Sequence, residues 1–178
     1  SKMVSTIAAM ILVDRGLVQL DQPFVKYVTD FRMASPEYTQ ITVRMLLSHS
    51  SGFPGSEYRD ASTVAPFPGY LDEVRQTMTM LRLKHAPGEM AVYSNDGFTM
   101  IELLVAARTG KSYVQFVQDE IFTPLAMMHS RYPLAAFAPG SRVLVLGAAG
   151  TLEERNIETG LSNWEFTEVR TGLARGDR

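Results

Sequence analysis

Three short motifs hold the side chains of this sequence that could perform chemistry. They are Ser1-Lys2-Met3, Leu47-Ser48-His49-Ser50-Ser51-Gly52 and Tyr93-Ser94-Asn95. A lysine amine can take a proton from a serine hydroxyl three residues earlier on a helix, because the two side chains share one face. Ser1 directly precedes Lys2, so its side chain would point about 100° away. The spacing excludes Ser1 as the nucleophile and leaves Lys2 as a candidate base.

The first motif opens a helical pattern that extends from Lys2 to Val18, with Gly16 at the position of a C-cap. Apolar residues recur along it at helical spacing. The pattern therefore predicts a buried helix with these side chains in the core: Met3, Ile7, Met10, Ile11 and Val13.

The other two motifs lie at the ends of predicted elements. Thr42 can cap a helix that ends near Gly52, and an irregular segment rich in Ser, Pro and Gly follows it. Ser94 or Asn95 can cap a helix that stops at Gly110. Helical spacing also predicts helices over Tyr70 to Leu83 and over Ser112 to Phe122, the latter ended by Pro124.

Composition narrows the class of function. The chain has 178 residues, of which 46% are apolar and 20% charged, as in one ordinary globular domain. A formal net charge of −2 argues against nucleic acid or an anionic membrane as a partner, so we expect a small-molecule or peptide substrate. The absence of cysteine excludes thiol catalysis, and His49, His85 and His129 lack ligand spacing, so no metal site is predicted. No apolar run is long enough for a membrane segment.

The motifs and their order resemble the serine β-lactamase and penicillin-binding-protein family, especially its esterase and D-Ala-D-Ala carboxypeptidase branch. That family carries Ser-x-x-Lys at a helix start, then Tyr-x-Asn or Ser-x-Asn, then Lys-Thr-Gly or His-x-Gly on a strand. The resemblance covers roughly residues 1 to 133. It includes Gly16-Leu17-Val18-Gln19-Leu20-Asp21, His49-Ser50-Ser51-Gly52, Pro87-Gly88-Glu89, and Ile121-Phe122-Thr123-Pro124-Leu125 with Met127 or Met128.

The resemblance implies a role for each matching residue. Lys2 would be the base, Tyr93 would relay a proton to or from the leaving group, and Asn95 would bind the substrate amide and help to hold the lysine. The nucleophilic serine would lie upstream of Ser1, so the chain would be an N-terminally truncated and inactive piece. We interpret His49 as a structural turn residue rather than a base.

The third motif of the family has no clear match. Neither Lys-Thr-Gly nor His-x-Gly follows Asn95, and the nearest counterpart is Arg170-Thr171-Gly172, after a possible strand from Trp164 to Val169. An arginine there could bind a substrate carboxylate. The distance from Tyr93 is short for the family, so the identity of the third motif stays open.

The implied fold is α+β, with an antiparallel sheet against a helical domain. This chain would hold mainly the helical part at residues 1–140, with the flanking sheet largely missing. A tail at 141–178 would form short strands, such as Arg142 to Leu146, or be disordered. Because the first helix would lose its packing partner, we expect marginal stability or self-association through an exposed core.

The implied function is acyl transfer by a serine hydrolase on amide, β-lactam or ester substrates, without a metal or organic cofactor, in the periplasm or outside the cell. One alternative is a non-catalytic binding or regulatory module that keeps the helical scaffold. Another is an incomplete reading frame, with a shift near residue 141 that would explain the change of composition there.

Overall fold

The chain folds into two units of different secondary structure. The computed structural model describes residues 1–55, 69–130, 132, 141–146, 151–162, 167–174 and 177. We call the described residues from 1 to 132 the helical unit, and those from 141 onward the sheet unit. Helices followed by an antiparallel sheet confirm the predicted α+β class.

The helical unit is built around one central helix. This helix, α4 (Asn95–Thr109), contacts the other α-helices described below. Its side chains Met100, Ile101 and Leu104 are fully buried in these contacts. Among the described helices, none has both the length and the hydrophobicity of a membrane-spanning segment. The elements are α1 (Lys2–Asp14), α2 (Val43–Leu47), α3 (Tyr70–Met80), α4 (Asn95–Thr109) and α5 (Tyr113–Val117), with 3-10 turns at Phe24–Lys26 and Pro36–Gln40 and a π-helical turn at Gln118–Phe122.

Two of the predicted helix ends are confirmed, whereas the helix predicted to end near Gly52 stops at Leu47. The Thr42 hydroxyl accepts a hydrogen bond from the Met45 amide at 3.2 Å and so caps α2. Gly110 ends α4 in the left-handed conformation, with φ of 70°. Ser94 occupies the N-cap position of α4 but makes no capping bond, since its hydroxyl donates to the Gly55 carbonyl at 2.8 Å. Local caps therefore indicate where α2 begins and where α4 ends.

The predicted helix from Ser112 to Phe122 changes character at its middle. Its first half is α5, where the Ser112 hydroxyl accepts from the Gln115 amide at 3.2 Å. Its second half widens into the π-helical turn, in which the Thr123 amide donates to the Gln118 carbonyl at 2.9 Å. Pro124 has no amide hydrogen to continue either pattern.

The prediction of which α1 residues are buried was wrong in part. Met3 is 78% exposed and Ile7 and Met10 are each 43% exposed, while Ile11 and Val13 are half-buried. The helix is apolar around most of its circumference, so periodicity alone could not identify the packed face. Self-association through the exposed side stays a prediction. The face that packs carries the small residues Ser5, Ala8 and Ala9, which allow close approach of the neighbouring helices, together with Leu12.

The sheet unit consists of β1 (Ser141–Leu146), β2 (Leu152–Ser162) and β3 (Thr167–Thr171), in that order and all antiparallel. Ser141 pairs with Ile157 and Leu146 with Leu152, whereas the β2–β3 register shifts twice. The strand predicted at Arg142 to Leu146 is confirmed. The predicted strand from Trp164 to Val169 overlaps β3 only in its last residues, because 163–166 lie outside the described residues. The boundary predicted between residues 140 and 141 stays a prediction.

Candidate active site

Two helix N-termini meet at the centre of the candidate site. Lys2 is the first residue of α1 and Asn95 the first residue of α4, and these helices pack against each other. The Lys2 Nζ donates a hydrogen bond to the Asn95 amide oxygen at 2.6 Å. Two residues that are 93 positions apart in sequence are thus joined directly, as the predicted holding role of Asn95 requires.

Aromatic rings surround the Lys2 amine. Its nitrogen lies 4.7 Å from the centre of the Tyr93 ring and 5.5 Å from that of Phe98, close enough for cation–π attraction. Tyr93 is 60% exposed, so a ligand can reach it. Lys2, Asn95 and Tyr93, the three predicted site residues, therefore share one surface of the helical unit, and Phe98 lies beside them.

His49 adjoins the same rings. Its imidazole centre lies 4.7 Å from that of Tyr93 and 5.3 Å from that of Phe98. Its backbone has a positive φ of 60°, which confirms the prediction of a turn residue. The contact with Tyr93 could not be read from the sequence, because it depends on how the turn after α2 packs against the segment before α4.

Main-chain hydrogen bonds fix the loop that leads to Tyr93. The Gly52 carbonyl accepts from the Lys84 amide and the Ser50 carbonyl from the Gly88 amide, each at 2.8 Å. Gly52 has φ of 81°, and a Cβ placed on it would lie 2.2 Å from the His85 carbonyl oxygen. Only glycine permits this approach, so the motif that ends at Gly52 holds the loop before the site.

A second polar contact lies one turn along α1. The Ser5 hydroxyl and the Tyr113 hydroxyl are 2.8 Å apart and buried. Burial raises the pKa of Tyr113 above its ordinary value, and hydrogen bonding with Tyr132 acts in the same direction. Ser5 follows Lys2 by three residues, yet at 8% exposure it is out of reach of a substrate. We therefore read the Ser5–Tyr113 pair as structural.

The weak third motif lies in the sheet unit. Arg170 and Thr171 end β3, and Gly172 follows with φ of 95°. A Cβ on Gly172 would lie 2.1 Å from the Asn156 carbonyl oxygen, so the hairpin itself accounts for this glycine. This glycine gives no support to Arg170-Thr171-Gly172 as the third motif, whose identity stays open.

Metal ligands are not grouped in the described residues, since no three His, Asp or Glu side chains there come together at coordinating distance. The chemistry that the site offers comes from an amine, a carboxamide and a phenol. An amine can act as a base and a phenol as a proton donor, and a carboxamide can orient both a lysine and a substrate amide.

Curated relatives match most of this chain but only part of their own length. Protein flp of Staphylococcus aureus (strain MW2) is 29% identical over 133 residues, which is 74% of this chain and 26% of the relative. The D-alanyl-D-alanine-carboxypeptidase/endopeptidase AmpH of Escherichia coli (strain K12) is 31% identical over 134 residues, or 74% of this chain and 35% of the relative. The chain thus spans about a quarter to a third of these proteins.

Solved structures show the same fold. A penicillin binding protein from Bacillus halodurans superposes with a TM-score of 0.64 at 21% identity, over 86% of this chain and 48% of that one. A D-amino acid amidase from Ochrobactrum anthropi SV3 gives a TM-score of 0.59 at 26% identity, over 78% of this chain and 41% of that one. The fold is therefore the predicted β-lactamase/transpeptidase-like fold.

The family follows from the match of the whole helical unit and not from the motifs alone. The model of the Beta-lactamase family matches residues 1–151, which extends beyond the helical unit into the sheet unit. With the fold, the order of the motifs and the contact between Lys2 and Asn95 all in agreement, the chain belongs to the β-lactamase family.

Proposed function

We propose that this chain supplies the base, the proton relay and the amide-binding residue of a serine hydrolase that works by acyl transfer. The observation that carries the proposal is the 2.6 Å hydrogen bond from the Lys2 amine to Asn95, beside the exposed ring of Tyr93. We further propose that the nucleophile is a serine two residues before Ser1 in the parent protein. That position would complete Ser-x-x-Lys and would share a helical face with Lys2.

The proposed reaction begins with attack of the serine oxygen on the substrate carbonyl carbon. As that bond forms, the neutral Lys2 amine takes the hydroxyl proton, which an ammonium could not do because it has no lone pair. One N–H of Lys2 donated to Asn95 leaves the nitrogen lone pair free to face the serine. The contact with Asn95 therefore orients the Lys2 amine and leaves its lone pair available to accept the serine proton.

Tyr93 would complete both halves of the reaction. Its hydroxyl would pass a proton to the leaving group as the bond between the acyl carbon and that group breaks, and its oxygen would take the proton that Lys2 removed from the serine. This step yields the acyl-serine, releases an amine or alcohol and returns Lys2 to its neutral form. Water would then attack the acyl carbon and lose a proton to Lys2, and that proton would pass by way of Tyr93 to the serine oxygen as the ester bond breaks and the acid is released. The Tyr93 ring lies beside Lys2 and is 60% exposed, which supports a relay between the base and a bound substrate.

Amides are the substrate class that we propose first. AmpH is named a carboxypeptidase/endopeptidase and the Ochrobactrum anthropi enzyme a D-amino acid amidase, and both reactions cleave an amide bond. The Asn95 carboxamide can donate to one carbonyl of such a substrate while its oxygen holds Lys2. β-Lactam and ester substrates use the same chemistry and are proposed as alternatives.

Labelling with a fluorescent fluorophosphonate tests the proposal. The chain should be expressed together with its own upstream residues, a form that we call the extended protein. We expect the extended protein to label and the chain that starts at Ser1 to remain unlabelled. Change of the upstream serine to alanine should abolish labelling, while Ser5→Ala should leave it in place, because Ser5 is buried against Tyr113.

Either of two results would overturn the proposal. One is the absence of a serine at the expected upstream position. The other is labelling that persists when that serine is alanine. An extended protein that folds but never labels would instead support the alternative of a non-catalytic module on the same scaffold.

A further inference from the structure

His49 accepts two hydrogen bonds from one short segment. Its carbonyl oxygen accepts from the Val92 amide at 2.9 Å, and its Nδ1 accepts from the Ser94 amide at 3.2 Å. Alternate amides of an extended segment point to the same side, so one histidine holds both donors that flank Tyr93. Ser94 immediately precedes α4. This double contact sets the path of the chain into the helix that begins with Asn95.

The bond from Ser94 defines the protonation state of the imidazole. A ring nitrogen that accepts from an amide carries no hydrogen, so the proton of the neutral ring must be on Nε2. An imidazolium has hydrogens on both nitrogens and could not make this contact. The arrangement requires neutral His49 with Nδ1 free of hydrogen.

The backbone of His49 does not explain why a histidine is present. At a φ of 60°, glycine would adopt the left-handed conformation without strain, and asparagine would tolerate it well. The described contacts of the imidazole are with residues at the site. The ring lies on Tyr93 and Phe98, and these are the two rings that flank the Lys2 amine.

We propose that His49 is a positioning residue of the acyl-transfer site. As the neutral tautomer with its proton on Nε2, it holds Val92 to Ser94 extended and supports the Tyr93 ring beside Lys2. It does not touch the reacting atoms, and it acts through Tyr93 and through the start of α4. This role rests on the proposed function, whereas the hydrogen bond to Ser94 does not.

Two variants separate the acceptor nitrogen from the rest of the residue. His49→Asn keeps tolerance of the left-handed backbone and places an amide oxygen close to the position of Nδ1, but it loses the ring. His49→Gly keeps the backbone conformation and loses both the acceptor and the ring. His129→Asn serves as a matched control, because His129 is exposed and makes no hydrogen bond in the described residues.

Nuclear magnetic resonance on the chain tests the hydrogen bond without reference to activity. Long-range proton–nitrogen correlation at neutral pH should show His49 with hydrogen on Nε2 alone. Exchange of the Ser94 amide should become roughly 5- to 10-fold faster in His49→Gly, as for loss of one hydrogen bond. It should remain near the wild-type rate in His49→Asn and His129→Asn. Hydrogen on Nδ1, or unchanged Ser94 exchange in His49→Gly, would overturn the proposed contact.

Acylation kinetics of the extended protein then test the role in the reaction. We expect kcat/KM to fall about tenfold or more in His49→Gly, with partial rescue in His49→Asn. Faster Ser94 exchange with unchanged acylation would overturn the positioning role. Failure of the wild-type extended protein to acylate would overturn the proposed function, and with it this role, while the magnetic resonance result would still decide the contact itself.

Discussion

The helical unit and the sheet unit differ in how their side chains are packed. In the sheet unit the buried hydrophobic side chains among those described are Val145 and Ile157, and Leu144 and Leu152 are more than half exposed. A reactive group needs supports that hold it to within about 0.5 Å, which dense packing provides. We therefore expect the reactive groups to lie in the helical unit, where the core is continuous. Each helix of the helical unit contributes to that core: Leu12, Leu46, Met78, Leu104 and Phe116.

The largest expected effect compares one residue from each unit. Tyr93→Phe in the extended protein should lower kcat/KM for acylation by about 10²- to 10⁴-fold, because the ring contacts stay and only the relay hydroxyl is lost. Arg170→Ala should leave kcat/KM nearly unchanged. Steady-state kinetics with a chromogenic ester would measure both. A loss for Arg170→Ala as large as that for Tyr93→Phe would restore Arg170-Thr171-Gly172 as the third motif.

The next effect concerns how tightly the helical unit is packed. Gly52→Ala should lower the free energy of unfolding by roughly 2–5 kcal/mol, the sum of a left-handed backbone and a main-chain overlap. Gly110→Ala is the matched control, since its φ is also positive but a Cβ there has no atom within 4 Å. It should cost only about 1–2 kcal/mol. Urea denaturation followed by circular dichroism would measure both, and equal costs would show that the approach to His85 is not tight.

A smaller effect is expected from the buried polar pair of the helical unit. Ser5→Ala removes one partner of the Tyr113 hydroxyl and should cost about 1–2 kcal/mol. Ser48→Ala, at an exposed position, should change stability by less than about 0.5 kcal/mol. A double-mutant cycle with Tyr113→Phe isolates the contact. If the two single changes add without coupling, the hydroxyl groups do not form the hydrogen bond in solution.

The smallest effect is a pH dependence that comes from Tyr113. Burial raises the pKa of this phenol in the folded chain, whereas its pKa in the unfolded chain is about 10. The unfolded state therefore releases the proton first, so the stabilising contribution is complete below about pH 10 and decreases as the pH rises further. Denaturation at pH 8 and at higher pH should show a steeper loss in wild type than in Tyr113→Phe. Equal slopes would contradict a buried neutral phenol.

The sequence allowed prediction of those features that depend on local contacts. Thr42 and Gly110 end helices because of bonds within a few residues, so their roles were visible in the order of residues. Lys2, Tyr93 and Asn95 were named as a group through the family resemblance. Spacing along the chain alone could not have joined residues 93 positions apart.

Features that depend on tertiary packing were missed or mistaken. The packed face of α1 could not be chosen from an almost uniformly apolar helix, and the Ser5–Tyr113 contact joins residues 108 positions apart. The hydrogen bond from the Ser94 amide to the His49 Nδ1 forms only when the turn after α2 packs against the segment before α4. Such contacts depend on which surfaces pack against each other. The residue types alone show only which side chains are able to form them.

The role of Lys2 as the base can be tested by replacing its amine with a group that stays charged. Intact-mass measurement of acyl-enzyme formation by a penicillin would compare the extended protein with its Lys2→Arg variant, which keeps the positive charge but cannot become neutral at ordinary pH. We predict a fall in the acylation rate of about 10²- to 10⁴-fold, with the fold unchanged by circular dichroism. Acylation of the Lys2→Arg variant at the wild-type rate would contradict the central claim.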